Sequence, residues 1–369
     1  MGQSEVRGSD GTTRVLDLWG KLNPTRPAWY HPLQHHLIDA AVAVEALWRH
    51  LLPAATRDLY CSLMDAPEAQ ALSWLMFLGG LHDLGKATPG FQGQAPQQRQ
   101  RLQQAGWIIP PGAARAHDVL GLMVLHGLLK ERMVAAEQPE ALTLDVATAV
   151  AGHHGVPVGP EPSVGGERHM GNGVWHEARA ELFVTLAELC ELDSRTAERC
   201  GHASSLMPAG LVYPPRALLP LLGGLIRVAD WLASQERGYA REASQDASSG
   251  ADYCALARAH AASALEQADW GEPPPSVAEF HDLFGFPPNV MQQRVAALAG
   301  PVRAPALVLI EAPTGSGKTE AALHLAQVWQ REQRGSYVAL PTQATAAAMY
   351  ERMRQYPGVE AGQLCLGQA

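Results

Sequence analysis

The chain has 369 residues, 47% hydrophobic and 18% charged, enough apolar material for cores in about two domains, which excludes wholesale disorder. Lysine and arginine number 28 against 37 aspartates and glutamates, a net charge of −9, so no global positive field gathers nucleic acid and any such binding needs a local groove. The five cysteines form no C-x-x-C pair, the polar start MGQSEVRGSDGTTR has no apolar h-region, and no stretch approaches the ~20 apolar residues of a membrane span, so a reduced, cytoplasmic protein without membrane contact is expected.

Most of residues 30 to 265 reads as helices without strand-like runs. Leu37, Ala40, Ala41, Val44, Leu47 and Trp48 recur at helical spacing, as do Trp74, Leu75, Leu78 and Leu81, and later Leu221, Leu222, Leu225, Ile226 and Ala229. Loops are expected at 88–112, rich in Gln, Pro and Gly, and at 156–173, with a polar weak spot at 238–250. WGEPPP, residues 270–275, reads as a linker because three successive prolines cannot continue a helix. The texture then changes. ALVLIE (306–311) reads as a strand, a glycine turn and an apolar helix follow, and YVAL (337–340) reads as a second strand, which together make a βαβ unit.

Histidine is the unusual residue. Eleven of the fifteen lie between His31 and His176, which suggests metal chemistry in that segment. Its centre is Leu81-His82-Asp83-Leu84-Gly85-Lys86, closing an apolar run whose Gly79 and Gly80 permit close helix approach. Imidazole and carboxylate together suit transition metals, and a carboxylate can bridge two ions. A His-Asp dipeptide alone is cheap: His117-Asp118 and His281-Asp282 repeat it. Upstream, His36 and Asp39 share an amphipathic helix; His35 is the alternative ligand, with the spacing to Asp39 favouring His36. Downstream come His117, on a thin local motif, and His153-His154 between glycines, able to serve one ion or two. Asp230 lies on an otherwise apolar helix, where an unpartnered carboxylate is costly and an ion would satisfy it. His31, His50, His126, His169 and His176 read as surface or supporting residues.

The order H…HD…H…HH…D on helices resembles the HD phosphohydrolase superfamily and, more narrowly, the HD nuclease domain of the Cas3 family, effectors of type I CRISPR systems. Leu18-Trp19-Gly20-Lys21, Ala87-Thr88 with Phe91-Gln92, and Ala229-Asp230-Trp231-Leu232-Ala233-Ser234 fit the family's flanks. The resemblance implies two divalent transition-metal ions (Mn, Co, Ni or Fe). His36, His82, Asp83 and Asp230 would hold one, and Asp83 would bridge to a second held by His117, His153 and His154. It also implies that Lys86 lies near the scissile phosphate; capping a helix C-terminus is its alternative. The implied substrate is the single-stranded DNA of an R-loop, reached through a crRNA-guided surveillance complex (Cascade). An HD phosphohydrolase acting on nucleotides, or an inactive remnant that only binds partners, are the competing functions.

Ala312-Pro-Thr-Gly-Ser-Gly-Lys-Thr319 is a phosphate loop in which Thr314, Gly315, Ser316 and Gly317 cradle phosphates, Lys318 reaches the β- and γ-phosphates of ATP, and Thr319 binds Mg²⁺. Phe284–Gln292 resembles a helicase Q-motif, with Gln292 reading adenine. Thr342 and Thr345 fall in a stretch resembling helicase motif Ia, where they contact single-strand phosphates or cap a helix. The only acids after Asp282 are Glu311, Glu320, Glu332, Glu351 and Glu360, none ending an apolar strand in a D-E setting, so ATPase and helicase activity are not expected. The fold expected is a mainly α HD helical bundle over 1–268 and a partial α/β RecA-like lobe over 269–369, the chain ending inside that lobe.

Overall fold

The apolar repeat from Leu37 to Trp48 belongs to the helix on which much of the first unit packs. The computed structural model describes residues 15–23, 26–133, 143–155, 159, 166–192, 207–235, 250–268, 279–299, 307–329, 338–340 and 342–356, and the chain divides into two units, Met1–Leu265 and Glu266–Ala369. Helix α1 (Leu33–Ala46) has every residue buried except Glu45. A helix buried all round must find partners for its polar side chains, here Gln34, His35, His36 and Asp39. It continues through a π-helical turn, Leu47–Leu51, to α2 (Ala54–Met64).

Helix α3 (Glu68–Gly80) runs along α1. A Cβ on Gly79 would lie 2.6 Å from Val44 Cγ2, and one on Gly80 would lie 3.2 Å from the Leu37 carbonyl, so the glycine pair permits the close approach expected of it. The chain then tightens into a 3-10 turn, Leu81–Lys86, and continues through α4 (Pro89–Gln92), α5 (Pro96–Gln104) and α6 (His117–Met133), which lies against that turn. Next come α7 (Leu144–Ala151) with a 3-10 turn Gly152–His154, α8 (Glu167–Met170), α9 (Gly173–Leu189), α10 (Ala209–Val212), α11 (Leu218–Ala233) and α12 (Gly250–Gln267). Helix α11 packs on α1 and α7. Among the described residues no helix is long and apolar enough to cross a membrane.

Besides the short helix α8 (Glu167–Met170), which stands inside the expected loop at 156–173, the structure corrects the sequence reading at three places. The expected loop at 88–112 contains α4 and α5, because Pro89 and Pro96 occupy the first helical turn, where a missing N–H costs nothing. A hairpin stands where no strand was expected: β1 (Trp19–Asn23) pairs antiparallel with β2 (Arg26–Pro32). Its register passes from Trp19↔Pro32 to Lys21↔His31, so Gly20 is an extra residue in β1, a bulge. Pro27 and Pro32 hide β2 from a propensity reading.

The third correction lies in the second unit, which holds α13 (Phe280–Phe284), α14 (Val290–Ala299), α15 (Lys318–Trp329) and α16 (Gln343–Met353). No strand occurs among its described residues, so the βαβ unit is not formed there. Val308 and Ile310 pack on Val295, Ala321 and Leu325 while Leu307 and Leu309 are 96% and 80% exposed. That alternation is strand-like, but an extended run becomes a strand only through a paired neighbour. The linker at 270–275 lies outside the described residues.

Candidate metal centre

Two helices end in the same way, and each end delivers a histidine. After α3, His82 Nδ1 donates to the Gly79 carbonyl at 2.8 Å; after α7, His153 Nδ1 donates to the Val150 carbonyl at 3.0 Å. Each imidazole thus satisfies a carbonyl orphaned at a helix C-terminus, which fixes its tautomer and aims Nε2 away from the helix. Both stand in 3-10 turns that directly follow apolar helices. Asp83 follows His82 at φ −106°, ψ 16°, in the sparsely populated bridge region where many active-site residues sit.

Asp83 is the meeting point. Its Oδ2 lies 2.8 Å from His36 Nε2 and 3.2 Å from His82 Nε2, while its Oδ1 lies 3.1 Å from His117 Nε2 and 3.6 Å from His153 Nε2. Asp230 Oδ1, from α11, lies 3.4 Å from His82 Nε2 and 3.7 Å from His36 Nε2. On the other side His117 Nε2 and His154 Nε2 are 2.9 Å apart. The donor atoms therefore fall into two groups, His36, His82, Asp83 and Asp230, and His117, His153 and His154, each within 4.8 Å internally.

These groups fit metal ions. Buried His82 Nε2, His153 Nε2 and Asp83 Oδ1 have close polar neighbours yet make no directed hydrogen bond. Atoms at about 2.0–2.2 Å from a shared ion stand roughly 3 Å apart, as these do. Burial keeps the imidazoles of His36, His153 and His154 from charging; His36 is held well below its ordinary value and His153 at about 3. Burial works against charge on His82 as well, but Asp83 and Asp230 outweigh it and lift that imidazole to about 9. Burial would also raise Asp83, yet Lys86, then His82 and His117, hold its carboxyl well below the usual range; Asp230 is held down likewise, chiefly by His82. Three imidazoles kept neutral, beside two ionised carboxylates and a fourth imidazole whose proton a metal ion would displace, make a donor set for divalent transition metals.

Lys86 is 5% exposed; its Nζ lies 2.6 Å from Asp83 Oδ2, donates to the Gly20 carbonyl at 3.0 Å and sits 5.3 Å from the centre of the Phe91 ring. His35 turns away from the centre and stacks on Tyr253 at 3.8 Å. Asp39 serves neither ligand group: it pairs with His31 at 2.7 Å and accepts from the Tyr253 hydroxyl, tying β2 and α12 to α1.

Four further residues shape the centre, three of them through contacts made from distant parts of the chain. Ser234 Oγ donates to Asp230 Oδ1 at 2.8 Å, and Lys21 Nζ lies 3.5 Å from the same oxygen. Gln92, fully buried, accepts from the Trp19 N–H and donates to the carbonyls of Trp19 and Lys86, knotting β1 to the Leu81–Lys86 turn. Arg227, one turn before Asp230 on α11, donates from Nε to the His153 carbonyl at 2.7 Å. Its guanidinium lies on Gly155, whose φ of +99° and open face a side chain would deny it. Arg227→Ala is therefore expected to weaken Mn²⁺ binding at the His117, His153 and His154 group about 10- to 100-fold, the usual cost of losing an outer partner. In calorimetric titration that loss appears as one weakened class of site beside one unchanged.

In the second unit Gly315 and Gly317 take φ of +81° and +82°, giving the loop 312–317 its curled path. Lys318 Nζ donates to the carbonyls of Ala312 and Pro313, Thr314 is exposed, and Thr319 lies half-buried beside Lys318 on α15. The Ser316 hydroxyl is buried without a hydrogen-bond partner. Gln292, 3% exposed, donates to the Gly317 carbonyl at 3.1 Å and accepts from the Asn289 N–H, so its amide is engaged with the loop. Thr342 caps α16, accepting from the Thr345 N–H.

The chain is similar to known proteins over most of its length. The family model "Cas3, HD domain" matches residues 19–238. The CRISPR-associated endonuclease/helicase Cas3 of Thermus thermophilus is 36% identical over 359 residues, an alignment covering 93% of this chain and 36% of that protein. A crystal structure described as a CRISPR-associated protein superposes with a TM-score of 0.63 at 30% identity, covering 93% of this chain and 38% of the other. The crystal structure of T. fusca Cas3-AMPPNP gives 0.58 at 28% identity, covering 96% and 39%. This chain thus spans little more than a third of the length of the relatives it matches.

Proposed function

This chain belongs to the Cas3 HD-domain family, and from that premise we propose that its first unit is a metal-dependent nuclease that hydrolyses phosphodiesters of single-stranded DNA. One observation carries the reading: a single buried carboxylate, Asp83, whose two oxygens face two separate groups of ligand atoms. Two divalent transition metals held there, among Mn, Co, Ni and Fe, would polarise the phosphodiester and stabilise the attacking and leaving oxygens. His36, His82, Asp83 and Asp230 would hold one ion, and His117, His153 and His154 the other. The chain's own residues do the positioning. The Gly79 and Val150 carbonyls orient His82 and His153, Lys86 fixes Asp83 Oδ2, and the Phe91 ring, 5.3 Å from His117 edge to face, steadies that imidazole.

In this reading 1–268 is the nuclease domain and 269–369 the start of a RecA-like helicase lobe, whose loop 314–319 with Gln292 takes the phosphates and base of ATP. Family membership supports CRISPR defence in the cytoplasm as the setting, with R-loop single strands delivered by a crRNA-guided surveillance complex (Cascade). The test is direct. With Mn²⁺, Co²⁺ or Ni²⁺ the purified chain is expected to cut circular single-stranded DNA and leave a panel of nucleotides and cyclic dinucleotides intact. Hydrolysis of the nucleotides with the DNA untouched overturns the nuclease reading.

A further inference from the structure

Two lysines approach the ligand carboxylates, and they differ in a way that matters. The Lys86 side chain is 6% exposed and its ammonium is engaged twice, by Asp83 Oδ2 at 2.6 Å and by the Gly20 carbonyl at 3.0 Å. The Lys21 side chain is 37% exposed, and its ammonium stands 3.5 Å from Asp230 Oδ1, an ion pair too long for a good hydrogen bond. That oxygen already accepts from Ser234 Oγ at 2.8 Å, so it does not depend on Lys21 for a partner.

The stem of Lys21 is well anchored. Its strand is held by the Trp19 backbone bonds to the Gln92 amide at 3.1 and 2.9 Å, and by the Leu33 N–H bonding the Leu18 carbonyl at 2.7 Å. The bulge at Gly20 presses the backbone onto α1, where an added Cβ would stand 3.0 Å from His36 Cβ. Lys21 therefore leaves a fixed backbone at the edge of the ligand group, with a flexible and solvated head.

We infer that Lys21 is a phosphate-contacting residue of the centre, resting on Asp230 in the free chain and turning to a non-bridging phosphate oxygen when metal and substrate arrive. The inference rests on the nuclease reading above. Divalent cations in the His36, His82, Asp83 and Asp230 group repel an ammonium beside one of their ligand oxygens, and a half-exposed ion pair is a weak tether. The chain carries −9 overall, so a polyanion is received only where local positive charge is offered. Lysine suits this role as a mobile point charge, whereas buried Lys86 is committed to Asp83.

The test compares the full chain with Lys21→Gln and Lys21→Arg. Mn²⁺ affinity is read by calorimetry, binding of a fluorescein-labelled, cleavage-resistant phosphorothioate oligo-dT by anisotropy, and cleavage of circular single-stranded DNA by kcat and KM. For Lys21→Gln, Mn²⁺ binding as tight as in the parent chain, or tighter, is expected, together with about 5- to 10-fold weaker oligo-dT binding. The slope of log affinity against log salt should shrink by about 0.7, one single-strand phosphate contact, with KM raised more than kcat is lowered. Lys21→Arg keeps the charge and should recover most of the DNA affinity. Weakened Mn²⁺ binding with unchanged DNA affinity and salt slope overturns the inference and makes Lys21 a strut for Asp230, while the nuclease reading stands. A parent chain that takes up Mn²⁺ yet neither binds nor cuts the DNA overturns the nuclease reading and the inference together.

Discussion

Asp83→Asn is expected to lower metal-dependent cleavage of circular single-stranded DNA by about a thousandfold or more, the largest effect of any single substitution in this chain. Among the described residues no other carboxylate places oxygens within 3.6 Å of both ligand groups, so the change removes a shared anionic group rather than one contact. It also acts on folding. Asp83 is 1% exposed and is the anionic partner of Lys86, itself 5% exposed. Removing one member of a buried pair leaves the other charge unmatched, at a cost of about 3–5 kcal/mol. Chemistry and stability can be separated by a second substitution. Asp83→Asn combined with Lys86→Met removes the stranded ammonium, so chemical denaturation should recover much of the lost stability while cleavage stays absent. Recovery of cleavage in the double variant would mean that Asp83 serves only to neutralise Lys86.

The sequence marks the candidate ligand residues more clearly than it marks their geometry. His82-Asp83 and His153-His154 stand out because each closes an apolar helix, and the structure gives a common reason: an imidazole bonds a carbonyl of the last helical turn and presents its other nitrogen. His35 and His36 are adjacent on one helix, and the turn of about 100° between neighbours sends one to Tyr253 and the other to Asp83. Spacing to Asp39 favours His36, the histidine that faces Asp83, yet Asp39 itself pairs with His31 and Tyr253 rather than with the candidate ligand groups. Helices of the first unit were legible wherever apolar residues recur, but α1 is buried on all sides and its pattern cannot say which face meets the site. The hairpin was illegible because prolines and a bulge break the alternation that marks a strand. Gln92 and Arg227 act on backbone carbonyls far along the chain, and nothing in their local sequence carries such long-range bonding, whereas Ser234 reaches Asp230 from one turn away. In the second unit, local alternation around 307–310 was real, but a sheet depends on pairing across the chain and local sequence does not supply it.

Gly85→Ala is the second substitution with a large expected effect, and it explains how His117, weakly marked in sequence, reaches Asp83. A Cβ on Gly85 would lie 2.1 Å from the His117 carbonyl, 2.4 Å from the Gly121 nitrogen and 2.7 Å from the Gly121 Cα. All three atoms are backbone of α6, so no flexible side chain can yield, and the helix must move away from the Leu81–Lys86 turn. Overpacking against a soft core costs about 1–3 kcal/mol, and a rigid backbone neighbour puts this case at or above the upper end. For a unit of this size the melting temperature should fall by roughly 6–12 °C. The displacement is transmitted to the site because His117 begins α6 and its Nε2 stands only 3.1 Å from Asp83 Oδ1. A shift near 1 Å in a positioned catalytic group costs about a hundredfold in rate, so cleavage should fall by that order even in the fraction that stays folded. Gly127→Ala is the matched control: it lies on the same helix, is exposed, and has nothing within 4 Å of an added Cβ. There the methyl should raise stability by about 0.5–1 kcal/mol and leave cleavage unchanged. Equal melting temperatures and equal rates for Gly85→Ala and the parent chain would mean that α6 can be displaced without cost, and that His117 does not depend on the contact at Gly85 for its place beside Asp83.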